Sequence, residues 1–345
     1  MAIQRNFPGV HWVWQGGISF VYEVHPRIVV KVPHSGEMER EQFQKEVKIY
    51  EISSRHPPCP SIVQCFLYTD KGIFLEYMRD VPFASRMENN LIRDEETIMV
   101  TKVEKLEPLP LRKKWMNDLA QAVAFLESLN LAHGDLRPEN ILLDHDRLKL
   151  SDFDCTAEIG SDFEACVAPY GRILNSSEAD QGPCGSSGFL GPRTEQFALG
   201  SLYYLINYGF EVYGDQCLSK TPKEHGRKLV ELLQNMEFPD LDGVTLIDDI
   251  IDNCWHNRYA TVAELAACTE ALLTERTNDE ASSRRESNGD SCDDVDLDDL
   301  TEEFFLKKVF CQALVKRGLL NLLSSGEPID LGFTFEGYRH SKKDD

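Results

Sequence analysis

The fold is decided by two short stretches near the middle of the chain, His133-Gly-Asp-Leu-Arg-Pro-Glu-Asn140-Ile-Leu-Leu143 and Leu148-Lys-Leu-Ser-Asp152-Phe153-Asp154. Asp135 and Asn140 lie in a loop flanked by apolar residues, and Asp152 ends a short strand that can pair with the strand after Asn140. Two carboxylates and a carboxamide are therefore expected to converge. Mg²⁺ prefers such hard oxygen ligands together with phosphate oxygens. One carboxylate is left to orient or deprotonate a hydroxyl group.

Upstream of these stretches, the pattern predicts a small sheet with one helix. Residues 18–32 contain two β-rich runs separated by His-Pro-Arg, which indicates a hairpin. Residues 37–53 carry apolar side chains at helical spacing among charges and predict an amphipathic helix. Two further short strands are predicted at residues 62–68 and 72–77.

Downstream, the pattern predicts mainly helices. Residues 111–129 have apolar side chains on one helical face, with Pro110 suited to the first turn. Short strands are expected at residues 141–143 and 148–150. Further helices are predicted at 195–208, 225–236 and 245–273, and polar or Gly-, Ser- and Pro-rich loops at 85–108 and 160–192.

The composition changes towards the C-terminus. Residues 276–303 carry eleven Asp and Glu and three Arg with no aromatic residue, so we predict an acidic, disordered linker over residues 274–303. A C-terminal segment, residues 304–345, follows with an amphipathic helix at 304–323. This helix either packs on the preceding helical region or regulates the protein by covering a groove or recruiting a partner.

The overall composition excludes several classes of protein. The chain has 345 residues, with 36 Lys and Arg against 58 Asp and Glu and a formal net charge of −22. Nucleic acid and anionic membranes are therefore poor partners. No apolar run is long enough to span a bilayer, and no secretory signal is evident. The ten cysteines lack metal-binding spacing, so we expect reduced thiols and a cytoplasmic, or else nuclear, location. We also expect the protein to be a monomer.

The central stretches resemble the catalytic and magnesium-binding loops of the eukaryotic protein-kinase superfamily, with His-x-Asp-x-x-x-x-Asn followed by Asp-Phe-x. Segments beginning at Glu195 and Cys254 resemble later kinase segments, and the divergent pattern is similar to that of filamentous-fungal kinase-like chains. The resemblance implies an α+β, bilobal kinase fold over residues 12–273. A β-rich N-lobe would span 12–77 and a mainly helical C-lobe 79–273.

The resemblance also implies roles for four residues of the central stretches. Asp135 is similar to the catalytic base, and Asn140 and Asp152 are similar to the magnesium ligands. Arg137 stands where serine/threonine kinases usually have Lys, in a position to contact the transferred phosphate. ATP and Mg²⁺ are the implied cofactors and a protein the implied substrate. The simpler interpretation is that Asp135 and Asp152 are buried carboxylates that cap the loops.

In the N-lobe, the resemblance implies a nucleotide-binding site. Lys31 looks like the phosphate-binding lysine, with Glu46 its expected partner ahead of Glu39 and Glu41. The alternative interpretation is a surface ion pair worth under about 1 kcal/mol. Backbone groups of Glu76 and Met78 would bind adenine at the hinge. The other implied nucleotide-binding residues are Gly16, Ser19, Val21, Val29 and Leu142.

Two departures from the kinase pattern concern nucleotide binding. Residues 14–21 keep only Gly16 of the glycine-rich loop, and Ser19 stands at the third glycine position. Asp154 replaces the glycine of Asp-Phe-Gly and adds a carboxylate near Asp152. We expect nucleotide binding to be weakened rather than abolished.

Two other departures concern regulation and substrate binding. Gly134 replaces the arginine that usually contacts an activation-loop phosphate, so we expect no phosphorylation switch of the common kind. Gly191-Pro-Arg193 stands for Ala-Pro-Glu, only two residues before Glu195. The peptide-docking loop therefore looks shortened and lacks its structural glutamate.

Three functions remain open from the sequence. The first is an active ATP-dependent protein kinase, directed to serine or threonine. The second is a pseudokinase that acts as a scaffold, favoured by the departures at the glycine-rich loop and at Asp154. The third is a small-molecule phosphotransferase of the aminoglycoside or choline type, in which His-Gly-Asp and Asp-Phe-Asp also occur.

Overall fold

The computed structural model describes residues 2–80, 82–163, 167–219, 221–274 and 297–339. These residues form two compact units. The first unit falls within Met1–Arg55, Gln64–Met78 and Ala271–Asp345. The second unit falls within His56–Val63 and Arg79–Glu270. The linker predicted at 274–303 lies outside the described residues from 275 to 296.

The strands and helices are as follows. The strands are β1 (His11–Gln15), β2 (Ser19–His25), β3 (Ile28–Pro33), β4 (Cys65–Tyr68), β5 (Ile73–Glu76), β6 (Leu91–Arg93), β7 (Val100–Val103), β8 (Leu131–Ala132), β9 (Ile141–Asp144), β10 (Arg147–Leu150) and β11 (Ala157–Glu158). The helices are α1 (Ala2–Asn6), α2 (Glu37–Ser53), α3 (Phe83–Glu88), α4 (Leu109–Ser128), α5 (Pro192–Tyr208), α6 (Pro222–Gln234), α7 (Thr245–Trp255), α8 (Val262–Thr274), α9 (Leu297–Lys316) and α10 (Leu319–Leu323).

The first unit is built on an antiparallel sheet with strand order β1-β2-β3-β5-β4. Side chains alternate between its two faces along each strand. On β3, Lys31 lies on one face, whereas Val30 and Val32 lie on the other. Helix α2 contacts β3 and β4 and buries Phe43, Glu46, Ile49 and Tyr50, which accounts for its amphipathic sequence.

The C-terminal helices belong to this first unit. One hydrophobic cluster joins sheet residues, including Val30 and Phe74, to Leu314, Leu319 and Leu320 of α9 and α10. The described C-terminal segment also extends the sheet edge, since the N–H of Glu336 donates to the carbonyl of Trp12 at 3.0 Å. The C-terminal helices therefore cover the sheet face opposite Lys31. The expectation that the last helix packs on the helical region is wrong.

The boundaries of that last helix also differ from the prediction. Helix α9 begins at Leu297, so residues 297–303 are helical rather than linker, and it ends at Lys316. Gly318 has φ 84° and starts the short α10. This left-handed conformation suits glycine and breaks the predicted single helix.

The second unit is mainly helical. Helices α4, α5 and α7 pack together around fully buried Trp115 and Trp255. Two small antiparallel ladders, β9 with β10 and β8 with β11, carry the loops of the central stretches. Helix α5 is buried along almost its whole length, which explains its continuous apolar sequence.

The predicted loop at 85–108 is partly ordered structure. It contains the end of α3 and a hairpin of β6 with β7. Asp94 organises the turn, because its Oδ1 accepts hydrogen bonds from the N–H groups of Glu96 and Thr97. The strands are short and half-exposed, so their sequence lacks a clear apolar alternation. Residues 245–273 likewise form two helices, α7 and α8, rather than one.

Candidate active site

In the first unit, the ammonium of Lys31 and the carboxylate of Glu46 form a buried ion pair. Nζ lies 2.7 Å from Oε2, and the side chains are 9% and 0% exposed. Glu46 is thus the carboxylate that contacts Lys31, and the interpretation as a surface pair is wrong. A buried pair contributes little net stability, because desolvation offsets the attraction.

The register of the sheet places two other candidate residues on the face of Lys31. Val21 lies directly opposite Lys31 across β2 and β3. Val29 precedes Lys31 by two residues on β3 and therefore shares its face. Leu142, the third apolar candidate, lies on β9 of the second unit opposite Lys149.

The turn between β1 and β2 holds the remnant of the glycine-rich loop. The N–H of Gly16 donates to the carbonyl of Ser19 at 2.8 Å, and Ser19 is 1% exposed. A Cβ on Gly17 would contact nothing within 4 Å. The turn is therefore closed by backbone hydrogen bonding, and open space surrounds Gly17.

The predicted hinge follows β5. The N–H of Glu76 donates to the carbonyl of Gln64 at 2.9 Å, and the N–H of Tyr77 donates to Arg27 at 3.1 Å. The N–H of Glu76 is therefore committed to a hydrogen bond within the protein. Met78 is 5% exposed and ends this part of the first unit.

In the second unit, the first central stretch forms a tightly bonded loop around Asp135. The amide nitrogen of Asn140 donates to the carbonyl and to Oδ2 of Asp135, both at 2.8 Å. Nε of Arg137 lies 3.3 Å from the same Oδ2. The side chain of Asp135 is 17% exposed. The carboxylate thus accepts a hydrogen bond from Asn140, lies at ion-pair distance from Arg137 and remains partly accessible.

His133 ties the two central stretches together. Its Nδ1 accepts the N–H of Asp135 at 3.2 Å, and its Nε2 donates to the carbonyl of Ser151 at 3.0 Å. The N–H of Ser151 in turn donates to the carbonyl of Asn140 at 2.9 Å. Burial lowers the pKa of His133, so the ring is neutral and serves as a fixed link.

Asp152 has a strained backbone, with φ 63°. A non-glycine residue in the left-handed region costs free energy and concentrates at functional sites. Phe153 is 1% exposed and packs edge-on against His133, with ring centroids 5.4 Å apart. In this segment the left-handed residue is Asp152 and not Asp154, so the change from glycine at Asp154 needs no unusual torsion.

The carboxylates of the two central stretches act on a common neighbour, the thiol of Cys155. Burial, followed by the charge of Asp154, raises the pKa of the Cys155 thiol to about 12, and Asp135 and Asp152 act in the same direction. All three carboxylates therefore lie close enough to influence one thiol. The loop has a negative potential that favours a cation.

Glu195, at the start of α5, is a further residue of this site to which sequence reasoning assigned no role. Its Oε2 accepts the N–H of His133 at 2.8 Å, and its Oε1 accepts the N–H of Gly134 at 3.3 Å. Burial raises the pKa of Glu195 to about 7. The available signal was the resemblance of the segment beginning at Glu195 to a later kinase segment, which located this residue without indicating its contact.

The residues present fit a divalent cation that keeps several non-protein ligands. In the described part of the chain, no group of three or more His, Cys, Asp or Glu side chains is arranged to hold a metal ion. Asn140 commits its amide nitrogen to Asp135, which leaves Oδ1 as its ligand atom. One amide oxygen and one carboxylate, from Asn140 and Asp152, suit Mg²⁺ completed by phosphate oxygens and water.

Residues 16–260 match the family model of the protein kinase domain. The chain belongs to this family. The match spans more than two thirds of its 345 residues and confirms the α+β kinase fold, with a β-sheet region followed by a helical region. Members of the family use ATP and a divalent metal.

Curated relatives of the chain are protein kinases, and one of the three described below is named a serine/threonine-protein kinase. It is 29% identical over 169 residues to mouse testis-specific serine/threonine-protein kinase 1, covering 42% of this chain and 43% of that protein. It is 24% identical over 189 residues to CBL-interacting protein kinase 10 of Oryza sativa subsp. japonica, covering 51% of this chain and 36% of that protein. It is 26% identical over 192 residues to MAP kinase-activated protein kinase 2 of Drosophila melanogaster, covering 46% of this chain and 50% of that protein. The chain thus spans at most about half the length of these relatives.

Arg193, which we predicted to stand in place of the glutamate of Ala-Pro-Glu, lies in the first turn of α5. Arg258 pairs with Asp252 at 2.5 Å. Among the described residues, no helix is long and apolar enough to cross a membrane.

Proposed function

We propose that the chain is an active, Mg²⁺-dependent protein kinase that transfers the γ-phosphoryl group of ATP to serine or threonine of a protein. The observation that carries the proposal is the buried contact of Lys31 with Glu46, 2.7 Å in length. A scaffold has no need of an ammonium and a carboxylate buried together, because an apolar pair of similar volume would stabilise the sheet as well.

The first unit would bind the nucleotide. Lys31, oriented by Glu46, supplies a fixed positive charge for the α- and β-phosphates. Val21 and Val29, on the same sheet face, offer apolar contact for the base. The proposal also uses backbone groups of Glu76 and Met78, and of the turn holding Gly16 and Ser19.

The second unit would carry out the phosphoryl transfer. Asp135 orients the acceptor hydroxyl and takes its proton, since its carboxylate is held in place by Asn140 and Arg137. Asn140 and Asp152 are the residues that would hold Mg²⁺, which neutralises charge on the phosphate oxygens when bound. Arg137 lies beside Asp135 and can add a positive charge near the transferred group.

A second candidate function is a nucleotide-binding scaffold with little or no turnover. It is favoured by Asp154, whose carboxylate acts on Cys155 together with Asp135 and Asp152. A third negative charge at this position opposes the approach of a triphosphate. A scaffold would bind nucleotide weakly and transfer no phosphoryl group.

The test is thermal unfolding of the whole protein with ATP, with and without Mg²⁺, followed by a phosphotransfer assay on a library of serine and threonine peptides. A ligand that binds only the folded protein raises its stability by about 2.7 kcal/mol at a hundredfold excess over Kd. We expect a Mg²⁺-dependent rise in Tm and turnover that Asp135→Asn removes. A rise in Tm without turnover favours the scaffold, and turnover of amino sugars or choline rather than peptides favours a small-molecule phosphotransferase.

A further inference from the structure

Helix α9 carries an exposed apolar surface that the rest of the described chain does not cover. Four large side chains form it, and their exposures are 62% for Phe305, 60% for Leu306, 43% for Val309 and 37% for Phe310. Spacings of three and four residues place them on one side of the helix, together with exposed Ala313. These five residues are the outer stripe of α9. A contiguous apolar surface of this kind indicates an interaction site.

The opposite side of α9 is buried and fixes the orientation of the helix on the sheet. Cys311 and Leu314 belong to the hydrophobic cluster of the first unit, and Phe304 packs against that cluster. At the edge of the outer stripe, the ring of Phe310 lies 5.4 Å from that of His25. The helix therefore cannot turn its outer stripe inward without giving up its buried contacts.

The sequence outside the described residues is poorly suited to covering the outer stripe. Residues 275–296, which directly precede α9, carry eight Asp and Glu and only Ala281, Cys292 and Val295 as apolar residues. Residues 340–345 are His-Ser-Lys-Lys-Asp-Asp. Charged and polar side chains of this kind remain in water rather than on an apolar surface. A second molecule is therefore favoured as the cover.

The charges at the two ends of the outer stripe are complementary to those of a second, antiparallel copy. Glu302 precedes the stripe and Lys316 follows it, and both are exposed. Each lies seven residues from Val309, which is about 10 Å along the axis and on the same side of the helix. Two α9 helices that meet at Val309 in opposite directions bring Glu302 of each copy beside Lys316 of the other. A parallel pair would instead place like charges together.

The apolar side chains fit the same arrangement. With Val309 on the two-fold axis, Phe305 of each copy faces Ala313 of the other. A large side chain thus meets a small one on both sides of the axis, which favours close packing. Leu306 and Phe310 extend the apolar contact on one flank of the stripe. A two-fold interface is self-complementary and closes at two copies.

We propose that the outer stripe of α9 is a homodimer interface, through which two copies of the chain pair with their α9 helices antiparallel. The inference is independent of the proposed function, because α9 covers the sheet face opposite Lys31. It departs from the monomer expected from the sequence, which does not show which side of α9 is buried. A single helix pair is small beside the roughly 800 Å² per partner of a standard interface. We therefore expect a reversible dimer with a micromolar Kd.

The first experiment is sedimentation velocity of the whole protein over a concentration series of about 0.5 to 50 μM. We expect the mass to rise from 39.3 kDa towards twice that value. Val309→Glu places two carboxylates together on the two-fold axis and should keep the protein monomeric throughout the series. Val230→Glu is the matched control, because it makes the same change at a 37% exposed position of α6 and should leave the dimer unchanged.

The second experiment exchanges the charges at the ends of the outer stripe. Glu302→Lys or Lys316→Glu alone should weaken the dimer about fivefold or more, because each puts like charges at both ends of the helix pair. The double variant, with both changes, should restore it. Glu302→Lys also reduces the net negative charge of the chain, which by itself favours association. Glu270→Lys, at an exposed position of α8, makes the same change in net charge and should not weaken the dimer.

Each result supports or overturns the proposal. A mass of 39.3 kDa at every concentration would overturn it, and the outer stripe would then be left for a different protein. A dimer that survives Val309→Glu would place the interface elsewhere on the surface. A double variant as weak as the single variants would overturn the antiparallel pairing. Equal Tm values at the lowest concentration would show that all the variants are folded, since every substituted residue is exposed.

Discussion

The carboxylate of Glu195, at the start of α5, accepts the backbone N–H groups of His133 and Gly134 at 2.8 and 3.3 Å. These two residues directly precede Asp135. A buried helix thus holds the loop that carries the proposed base, and the contact itself is buried, since Glu195 is 4% exposed.

Glu195→Gln should therefore disturb the loop. The amide offers one acceptor oxygen and places an NH₂ group against the other backbone N–H. We expect the free energy of unfolding to fall by about 1–3 kcal/mol and kcat to fall with it. Glu270→Gln, at an exposed position of α8, is the matched control and should change neither. Equal stability and kcat in both variants would show that Glu195 does not hold the loop.

The same residue predicts a pH dependence of stability. Burial raises the pKa of Glu195 from 4.5 to about 7, although the bonds from His133 and Gly134 lower it. The folded protein therefore binds this proton more tightly than the unfolded chain. Its contribution to stability is complete below about pH 4.5 and is lost as the pH rises through about 7, by on the order of 3 kcal/mol.

The measurement is denaturant unfolding of the parent and of Glu195→Gln between about pH 5 and 8. The lowered pKa of His133 acts with the opposite sign, because a neutral folded histidine gains stability as the pH rises. It is present in both proteins, so the difference between their curves isolates Glu195. Parallel curves would mean that the carboxylate is already ionised throughout this range.

Local sequence was sufficient where a residue's neighbours in the chain decide its structure. Helix α2 was predicted at residues 37–53 with its observed bounds, because its apolar spacing and flanking charges are local signals. The contact of Lys31 with Glu46 was predicted from motif order alone. In both cases the signal lay within one continuous stretch of the sequence.

Local sequence failed where distant segments decide the outcome. Helices α9 and α10 pack on a sheet that precedes them by more than two hundred residues, and amphipathicity indicates that a helix docks without saying where. The role of Glu195 depends on its contact with the backbone of His133. Every residue other than proline has a backbone N–H, so such a contact cannot be recognised from the identity of the residue that is contacted. The β6–β7 hairpin was missed because half-exposed strands carry little alternation.

Lys31 and Glu46 allow a double-mutant cycle that separates stability from nucleotide binding. Lys31→Met or Glu46→Gln alone should lower stability by about 3–5 kcal/mol, because each leaves a buried group without its opposite charge. The double variant, with both changes, should recover part of that loss. All three variants should lose the Mg²⁺-ATP-dependent rise in Tm.

The cycle is measured by chemical unfolding, with ligand-induced shifts in Tm on the same samples. A double variant that recovers both stability and nucleotide binding would show that the pair is structural. The control is an exposed ion pair between Glu51, in the last turn of α2, and Arg55, just beyond the end of that helix. Its Nη2 and Oε1 atoms are 2.5 Å apart. Its removal should change stability by less than about 1 kcal/mol.

The two central carboxylates should separate binding from turnover. Asp152→Asn should abolish Mg²⁺-dependent nucleotide binding and leave the fold intact, since the amide replaces a charged ligand with a weaker one. Asp135→Asn should retain nucleotide binding and lose turnover, because the amide cannot take a proton. Isothermal titration with Mg²⁺ and ATP, alongside peptide phosphorylation, checks both. If Asp152→Asn binds Mg²⁺-ATP as tightly as the parent, the metal assignment is wrong.

The C-terminal helices should be required for the stability of the nucleotide-binding sheet. Leu320 of α10 is 4% exposed, and its Cδ2 lies 2.6 Å from where a Cβ on Gly72 would be, in the turn before β5. Leu320→Ala should therefore lower the free energy of unfolding by about 2–5 kcal/mol, and Gly72→Ala should destabilise the same contact by overpacking it. Leu306→Ala on α9, where Leu306 is 60% exposed, should change stability by less than about 0.5 kcal/mol.

Truncation before α9 tests the same relationship on a larger scale. Without α9 and α10, the sheet face that carries Val30 and Phe74 would be exposed to water, and apolar surface of this extent promotes aggregation. We expect the truncated chain to be insoluble or to unfold at a lower temperature, with loss of nucleotide binding. A truncated chain that keeps the Tm and the nucleotide binding of the whole protein would show that these helices are an accessory rather than part of the fold.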